Sequence, residues 1–323
     1  MKNKIIVKNL LTILLIAAII VVGLSGCSKN SKNNDSQNSN SNNGLFPVTL
    51  KDSLGREVKI EKEPLRIISL SPSNTEILFA LGLGDRVVGV TNYCDYPGEA
   101  KSKEKIGDFS NPNIEKIISL NPDLVLATTM HEKPVKRLEE LKIPVIVLEP
   151  KNIEEMLDSL ILVGKATGRE KDATELVNSL KKRIDAVKEK VSSIPEDKKP
   201  TVFYELWPSP ITTVGPGTFV DDLITKAGGK NIAGDSDKPY PVYGQEVIIA
   251  KNPDIIIFSH HGTNGVNEQT KEDILKRPGW SNINAVKNDK VFYVDENIIQ
   301  RPTPRLVDGL EQFSKIIHPE IFK

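Results

Sequence analysis

The feature that most constrains the fold is a phrase that occurs twice in the chain. NPDLVLATTM begins at Asn121, and NPDIIIFSHH begins at Asn252. When residues 114–130 are aligned with residues 245–261, six of 17 positions are identical. Each copy is typical of a helix, an Asn-Pro stop and a buried strand, because proline cannot continue a helix and the residue before it avoids the α conformation. The sequence therefore predicts two similar α/β lobes.

Strands and helices alternate on both sides of one long helical stretch. That stretch, Glu170–Val191, has a narrow apolar stripe and a charged opposite face, which indicates a helix packed on one side. Alternating strands and helices favour parallel, doubly wound sheets. We therefore predict an α/β fold with two Rossmann-like lobes, 48–168 and 199–323, joined by a single long α-helix within 169–198. A ligand cleft is expected between the lobes.

The N-terminal segment has the pattern of a lipoprotein signal peptide. Three lysines precede an apolar run of 13 residues, Leu10–Val22, which is short for a membrane span. The run leads into Leu-Ser-Gly-Cys, which resembles the bacterial lipobox and predicts a signal peptide over 1–26 and a lipid on Cys27. The alternative is an uncleaved anchor helix. Residues 27–47 then form a Ser/Asn-rich segment whose composition predicts a disordered tether. The protein is expected on the outer face of the cell membrane.

Charge and cysteine content exclude several classes of protein. Lys plus Arg and Asp plus Glu both number 43, so the formal net charge is zero and a nucleic-acid partner is not expected. With Cys27 lipidated, Cys94 is the second of two cysteines, and neither a disulfide nor a Cys/His zinc site is predicted. Cys94 is interpreted as a small packed residue, with a reactive thiol as the alternative.

Aromatic and hydroxyl side chains follow the predicted strand ends in both lobes. Ligands of open α/β sheets bind beyond the carboxyl ends of the strands. A wall of this composition, with one clear cation and few acids, favours a large, flat, partly apolar ligand over an amino acid or a small cation. The predicted ligand-binding residues are Ser71, Tyr93, Phe109, Thr128, Trp207, Tyr240, Tyr243, His260 and Arg301.

Some of these residues have a second interpretation. His131, His260 and His261 fall near matching strand ends, which suggests a metal site or an axial ligand, but their spacing is unspecific and solvated loop histidines are the alternative. No metal site is predicted. Arg301 is either a partner for a ligand anion or a surface residue, and Trp207 is either a cavity wall or a buried strand end.

Longer stretches carry a family resemblance over residues 48–323. IISLSPSNTEILFALGLGDRVVGVTNYCDYP, NPDLVLA, PGWSNINAVKNDKVFYVD and RPTPRLVDGLEQFSKIIHPE resemble the cobalamin and iron-siderophore binding proteins that serve ABC importers. The likeness is greatest to the vitamin B12-binding members. It implies a rigid linking helix, little hinge closure, a pocket tyrosine at Tyr93, and pocket tryptophans replaced by Phe109 and Thr128. It also implies a monomer that binds a corrinoid, with a ferric siderophore or haem as the alternative.

The resemblance also implies docking to the importer's membrane subunits through one acid per lobe. Glu76 matches the first docking glutamate. A direct match to the second falls near Gly217, whereas the internal repeat pairs Glu76 with Asp222, and Asp221 is the fallback. The alternative is that these acids merely stabilise the first turns of their helices.

An enzyme is the competing class of protein. The sequence has no Gly-x-Ser-x-Gly, Walker or His-Glu-x-x-His motif and no dinucleotide fingerprint. Catalytic residues and cofactors are therefore not predicted. A hydrolytic, metal-binding or adhesive surface lipoprotein is the weaker alternative.

Overall fold

The computed structural model describes residues 45–259 and 269–322. The predicted signal peptide, Cys27 and most of the tether lie outside this range, as do His260 and His261. No helix within the described ranges combines the length and apolarity that a membrane crossing requires.

The first half builds an antiparallel pair of strands and a parallel sheet. The pair consists of β1 (Val48–Lys51) and β2 (Glu57–Ile60). The sheet has the order β4-β3-β5-β6, with every neighbouring pair parallel. Its elements are β3 (Ile67–Ser69), α1 (Pro72–Ala80), β4 (Val87–Val90), α2 (Ile114–Ser119), β5 (Leu124–Ala127), α3 (Glu132–Glu140) and β6 (Val145–Val147).

Two helices then lead into a second parallel sheet. They are α4 (Ile153–Ala166) and α5 (Glu170–Ser192). The second sheet has the order β10-β7-β11-β12, so both sheets share one topology when their strands are counted in chain order. Its lobe comprises β7 (Thr201–Glu205), β8 (Trp207–Pro208), β9 (Ile211–Thr212), α6 (Phe219–Lys226), β10 (Lys230–Asn231), α7 (Gln245–Lys251), β11 (Ile255–Phe258), α8 (Lys271–Leu275), α9 (Asn284–Lys287), β12 (Val291–Tyr293), α10 (Glu296–Ile299) and α11 (Leu306–Ile317).

The repeated Asn-Pro-Asp phrase makes the same turn in both lobes. Asn121 and Asn252 have φ of 46° and 45°, a left-handed conformation that asparagine tolerates better than most residues. The following aspartate ties the new strand to its neighbour: Asp123 accepts from the amide of Arg66 at 3.1 Å, and Asp254 accepts from that of Thr201 at 3.0 Å. The repeat therefore encodes both the helix stop and the strand alignment.

The long helix α5 packs into a core shared by both lobes. Leu180, Val187 and Val191 on its inner face are buried, as the apolar stripe predicted, and Ala173 and Val177 are buried as well. The same continuous apolar cluster includes Ile67 from the first sheet and Val202 from the second. The structure confirms the predicted fold class. Because repacking a shared core is costly, the lobes are expected to move little relative to each other.

Candidate ligand cleft

A cavity of about 600 Å³ lies at the carboxyl ends of the strands. Most of its wall comes from the first lobe, and the second lobe contributes the start of α6 and the segment before α11. Its lining is Ser71, Pro72, Ser73, Asn74, Ile77, Tyr93, Asp108, Phe109, Thr128, Met130, Leu148, Glu149, Pro150, Phe219, Gln300, Arg301 and Pro302. The wall combines aromatic and aliphatic surface with hydroxyl and amide groups, which suits a large ligand with polar edges.

A buried histidine holds two segments of this wall together. His131 Nδ1 accepts from the backbone N–H of Thr128 at 3.0 Å, so Nε2 carries the proton and donates to the carbonyl of Phe109 at 2.7 Å. The Phe109 ring packs edge-on against the imidazole, with ring centroids 5.2 Å apart. Burial, outweighing these hydrogen bonds, lowers the pKa of His131 below its ordinary 6.5. The histidine is therefore a neutral positioning residue.

The serines and asparagine at the start of α1 form a hydrogen-bonded floor. Ser71 Oγ accepts from the N–H of Asn74 at 3.1 Å and so caps the helix, and it lies 3.1 Å from Ser73 Oγ. The Asn74 amide donates to the carbonyl of Ala127 at the end of β5. Below this floor Cys94 is buried against Thr75, which confirms its interpretation as a packed residue.

An ion-pair network crosses between the lobes at the edge of the cavity. Arg305 binds Glu76 through two bonds of 2.6 and 2.8 Å, and Arg301 Nη1 lies 3.1 Å from Glu76 and 2.8 Å from Asp95. The Arg305 guanidinium also lies 4.0 Å from the centre of the Tyr96 ring. Although burial raises the pKa of Asp95, its pairing with Arg301 prevails and lowers it.

Comparison with known proteins identifies the family. A family model described as periplasmic binding protein matches residues 67–298. The chain belongs to the periplasmic binding protein family. It is 42% identical over 288 residues to the uncharacterized ABC transporter substrate-binding lipoprotein YvrC of Bacillus subtilis (strain 168), covering 86% of this chain and 88% of that protein.

Two further relatives are described by what they bind. The vitamin B12-binding protein of Vibrio cholerae is 31% identical over 250 residues, covering 76% of this chain and 87% of that protein. The solved structure of a possible iron-binding, periplasmic solute-binding protein from Staphylococcus epidermidis ATCC 12228 is 37% identical, with a TM-score of 0.67, covering 80% of this chain and 100% of that one. This periplasmic binding protein is therefore an extracytoplasmic substrate-binding protein of an ABC importer, and its family is not an enzyme family.

The cavity includes some predicted binding residues and leaves others out. Ser71, Tyr93, Phe109, Thr128 and Arg301 line it, as predicted. Three predicted aromatic residues of the second lobe are not among the lining residues of this cavity, and they lie on or near the β8–β9 hairpin and its bridge to residue 242, so their contact with a ligand stays a prediction. Those residues are Trp207, Tyr240 and Tyr243. His260 lies outside the described residues.

The predicted docking acids are committed to contacts within the protein. Glu76 is 3% exposed and holds Arg301 and Arg305, so its carboxylate is engaged within the protein and is not exposed for contact with an importer. Asp222 pairs with Lys226 and accepts from the N–H of Ile153 at 3.1 Å, which ties the second lobe to the start of α4. Burial raises the pKa of Asp222. The fallback residue, Asp221, accepts from the side chain of Asn231 at 2.8 Å.

Sequence reasoning also missed several cavity residues and misread one. His131 is fully buried, so the solvated-loop interpretation of that residue is wrong. In the sequence, the aliphatic lining residues look the same as core residues. Asp108 and Gln300 could have been found, because each directly precedes a predicted binding residue. In the described ranges no group of three or more His, Cys, Asp or Glu could hold a metal ion. The missed lining residues are Ser73, Asn74, Ile77, Asp108, Leu148, Glu149, Pro150, Phe219, Gln300 and Pro302.

Proposed function

We propose that this protein captures a large metal chelate, with cobalamin or a related corrinoid as the best single candidate, and delivers it to an ABC importer. The observation that carries the proposal is the cavity of about 600 Å³ between the lobes, which has aromatic and aliphatic faces and a hydrogen-bonding floor. Binding there needs only stacking, burial of apolar surface and hydrogen bonds.

Each part of a corrinoid has a matching part of the wall. Tyr93 and Phe109 present aromatic surface to a macrocycle, and Met130 and Phe219 add apolar area from the two lobes. Gln300 also lines the cavity, where its amide donates to the hydroxyl of Tyr204 at 2.8 Å, and it would lie beside the peripheral amides of a corrinoid. The likeness to the Vibrio cholerae vitamin B12-binding protein supports the same ligand class.

A ferric siderophore or haem is the second candidate. Thr128 stands where the resemblance implies a pocket tryptophan, and it contributes no ring for stacking. An aromatic pair contributes about 0.5–1.5 kcal/mol beyond area burial, so this replacement weakens the binding of a corrinoid or of haem, without abolishing it, and leaves a non-planar siderophore unaffected. The likeness to the Staphylococcus epidermidis protein, described as a possible iron-binding protein, favours this candidate.

Titration calorimetry with cyanocobalamin, ferrichrome and haemin tests the proposal. We expect tight binding of one chelate, and Phe109→Ala is expected to weaken it roughly three- to tenfold through lost stacking. Tyr240→Ala is the matched control, because Tyr240 lies outside the cavity, and its affinity should equal that of the wild type. Binding of free Zn²⁺ with no binding of any chelate would overturn the proposal.

We also propose that the mature protein is a monomer anchored through lipid on Cys27. The lipobox-like Leu-Ser-Gly-Cys and the naming of the Bacillus relative as a lipoprotein support this anchoring. Cys27→Ser should release the protein or leave it as an unprocessed precursor. Unchanged membrane retention together with an unchanged mature mass would contradict the proposal.

We propose new docking acids in place of Glu76 and Asp222. The internal repeat aligns Glu115 with Glu246, and each is exposed in the first turn of its helix. Helices α2 and α7 each lead into the sheet strand that follows, so both helices begin at the carboxyl edges of the sheets, where the cleft lies. No shared ion pair ties either glutamate to the other lobe among the described contacts. The pair is therefore suited to two-point contact with basic residues of a permease.

A further inference from the structure

The charged side chains that line the cleft carry an excess of negative charge. Arg301 is the one Lys or Arg among the lining residues of the described structure. Its guanidinium is held by Glu76 and Asp95, and Arg305 shares Glu76. Two positive and two negative groups thus compensate each other within this network. A ligand anion that binds Arg301 therefore meets a guanidinium whose charge is already shared with Glu76 and Asp95.

The remaining charged groups on the wall are carboxylates. Asp108 accepts from the N–H and the hydroxyl of Ser110, both at 3.1 Å. Glu149 accepts from the N–H of Thr129 at 3.1 Å and from its hydroxyl at 2.8 Å. The donors to both carboxylates are neutral groups, so these hydrogen bonds do not cancel the negative charge.

Neighbouring lysine charge does not reverse this balance. The ammonium of Lys105 donates to the carbonyls of Thr91 and Cys94, at 3.5 and 3.2 Å, and is not part of the wall. Asp108 and Glu149 are therefore the two charged groups on the described wall for which the described contacts include no ion pair.

We propose that this cleft selects neutral or positively charged chelates and discriminates against anionic ones, with Asp108 and Glu149 as the specificity-determining residues. The inference rests on the proposed chelate-binding function and narrows it. It favours corrinoids and neutral or cationic hydroxamate chelates, whose edges carry amides or amines. It disfavours catecholate chelates and haem, because their carboxylate or catecholate oxygens would be brought beside like charges in a partly apolar cavity.

Matched ligands that differ in one charge test the selection. Cyanocobalamin is compared with its monocarboxylic acids, in which one peripheral amide is hydrolysed, and ferrioxamine B with its N-acetyl and N-succinyl derivatives. For whichever series binds, the carboxylate-bearing member should bind roughly tenfold more weakly at low salt, the order of magnitude of one uncompensated charge pair near a protein surface. The ratio should shrink as salt rises. Equal or tighter binding of the carboxylate-bearing member overturns the inference.

Charge-removing variants assign the effect to the two acids. The double variant Asp108→Asn, Glu149→Gln keeps an oxygen to accept the bonds from Ser110 and Thr129 and should remove most of the tenfold discrimination. The control Glu57→Gln, Asp185→Asn removes the same charge from exposed positions outside the cavity and should retain it. Full discrimination in the first variant, or its loss in the control, contradicts the assignment.

A dye pair tests the charge inference without the biological ligand. N-phenyl-1-naphthylamine is neutral, whereas 8-anilinonaphthalene-1-sulfonate adds a sulfonate to the same aromatic skeleton, and both fluoresce in apolar cavities. The wild type should prefer the neutral dye, and the Asp108→Asn, Glu149→Gln variant should bind the two more equally. If no chelate binds but this preference holds, the proposed function fails and the charge inference stands. A preference for the sulfonate that the double variant leaves unchanged overturns the inference.

Discussion

His131 shows how one side chain can organise a binding wall without touching the ligand. It joins the backbone of Phe109 to that of Thr128, two predicted binding residues that lie 19 positions apart in the sequence. The sequence showed a histidine near a strand end, but burial depends on residues 109–131 folding together, which no local pattern reveals. The sequence therefore predicted Phe109 and Thr128 as binding residues, but it could not predict the hydrogen bonds through which His131 connects them.

The lowered pKa of His131 predicts a pH-dependent stability. The unfolded chain takes up a proton near the ordinary pKa of 6.5, whereas the folded imidazole stays neutral. The stability that this site contributes is complete above pH 6.5 and is lost as the pH falls through the folded pKa. His131→Gln should cost about 1–3 kcal/mol at pH 7.5, because it disrupts a buried hydrogen-bonded site. Urea unfolding at pH 7.5 and 5.5 should show a smaller cost at the lower pH, and an equal cost at both would contradict this role of the histidine.

Because Glu76 is buried in an ion-pair network, we expect its substitution to lower the stability of the protein, whereas the sequence alone predicted an effect on docking. Glu76→Gln leaves Arg301 and Arg305 without a buried counter-charge and should destabilise the protein by about 3 kcal/mol, near the low end for a broken buried ion pair since both arginines are partly exposed. Glu61→Gln breaks the fully surface-exposed Lys59–Glu61 pair and should change stability by less than about 1 kcal/mol. Similar urea midpoints for the two variants would refute the structural role of Glu76.

At the scale of elements, the sequence predicted the alternation of helices and strands in both lobes and the long helix between them. Periodicity reports which face of an element is buried, and the repeated Asn-Pro-Asp phrase marks the same turn in each lobe, so the sequence alone was enough to align α2 with α7. The β8–β9 hairpin was not foreseen, since it has two residues per strand and no periodicity. That hairpin fixes the position of Trp207, which is not among the lining residues of the described cavity.

The close packing of α4 against α5 gives a prediction for Gly164. A Cβ at this position would lie 2.5 Å from the Cβ of Ala173 and 2.9 Å from the carbonyl of Arg169. Alanine normally stabilises a helix relative to glycine, but here the neighbours include backbone that cannot move aside. Gly164→Ala should therefore destabilise the protein by about 1–3 kcal/mol, as overpacking does.

Ser179→Ala, on the exposed face of α5, is the control for Gly164→Ala. It should be neutral or slightly stabilising, by a few tenths of a kcal/mol at about the scale of helix propensity. The melting temperatures of both variants, measured by thermal unfolding, test this prediction. A Gly164→Ala protein that melts above the wild type would mean that the two helices separate easily, and the rigidity ascribed to the shared core would then be in doubt.

At the scale of the whole molecule, the core that both lobes share limits how far the protein can change shape when it binds a ligand. A cluster that runs from Ile67 to Val202 leaves little freedom for closure around a ligand, so the loaded and empty forms present nearly the same outer surface. An importer must then recognise the protein by fixed groups on the cleft rim. Exposed acids placed at equivalent positions in both lobes meet that requirement, and Glu115 and Glu246 are such a pair.

Charge reversal at these two positions tests the docking proposal. Glu115→Lys and Glu246→Lys should each weaken binding to the importer in lipid nanodiscs roughly tenfold or more, because a close ion pair becomes a repulsive one, and the double variant should bind worse than either. Glu189→Lys, an exposed reversal on α5 away from the cleft, is the matched control and should bind like the wild type. Stability and chelate affinity should stay unchanged in all variants, since neither glutamate lines the cavity or joins the network around Glu76. A double variant that binds the importer as the wild type does would remove both residues from the docking surface.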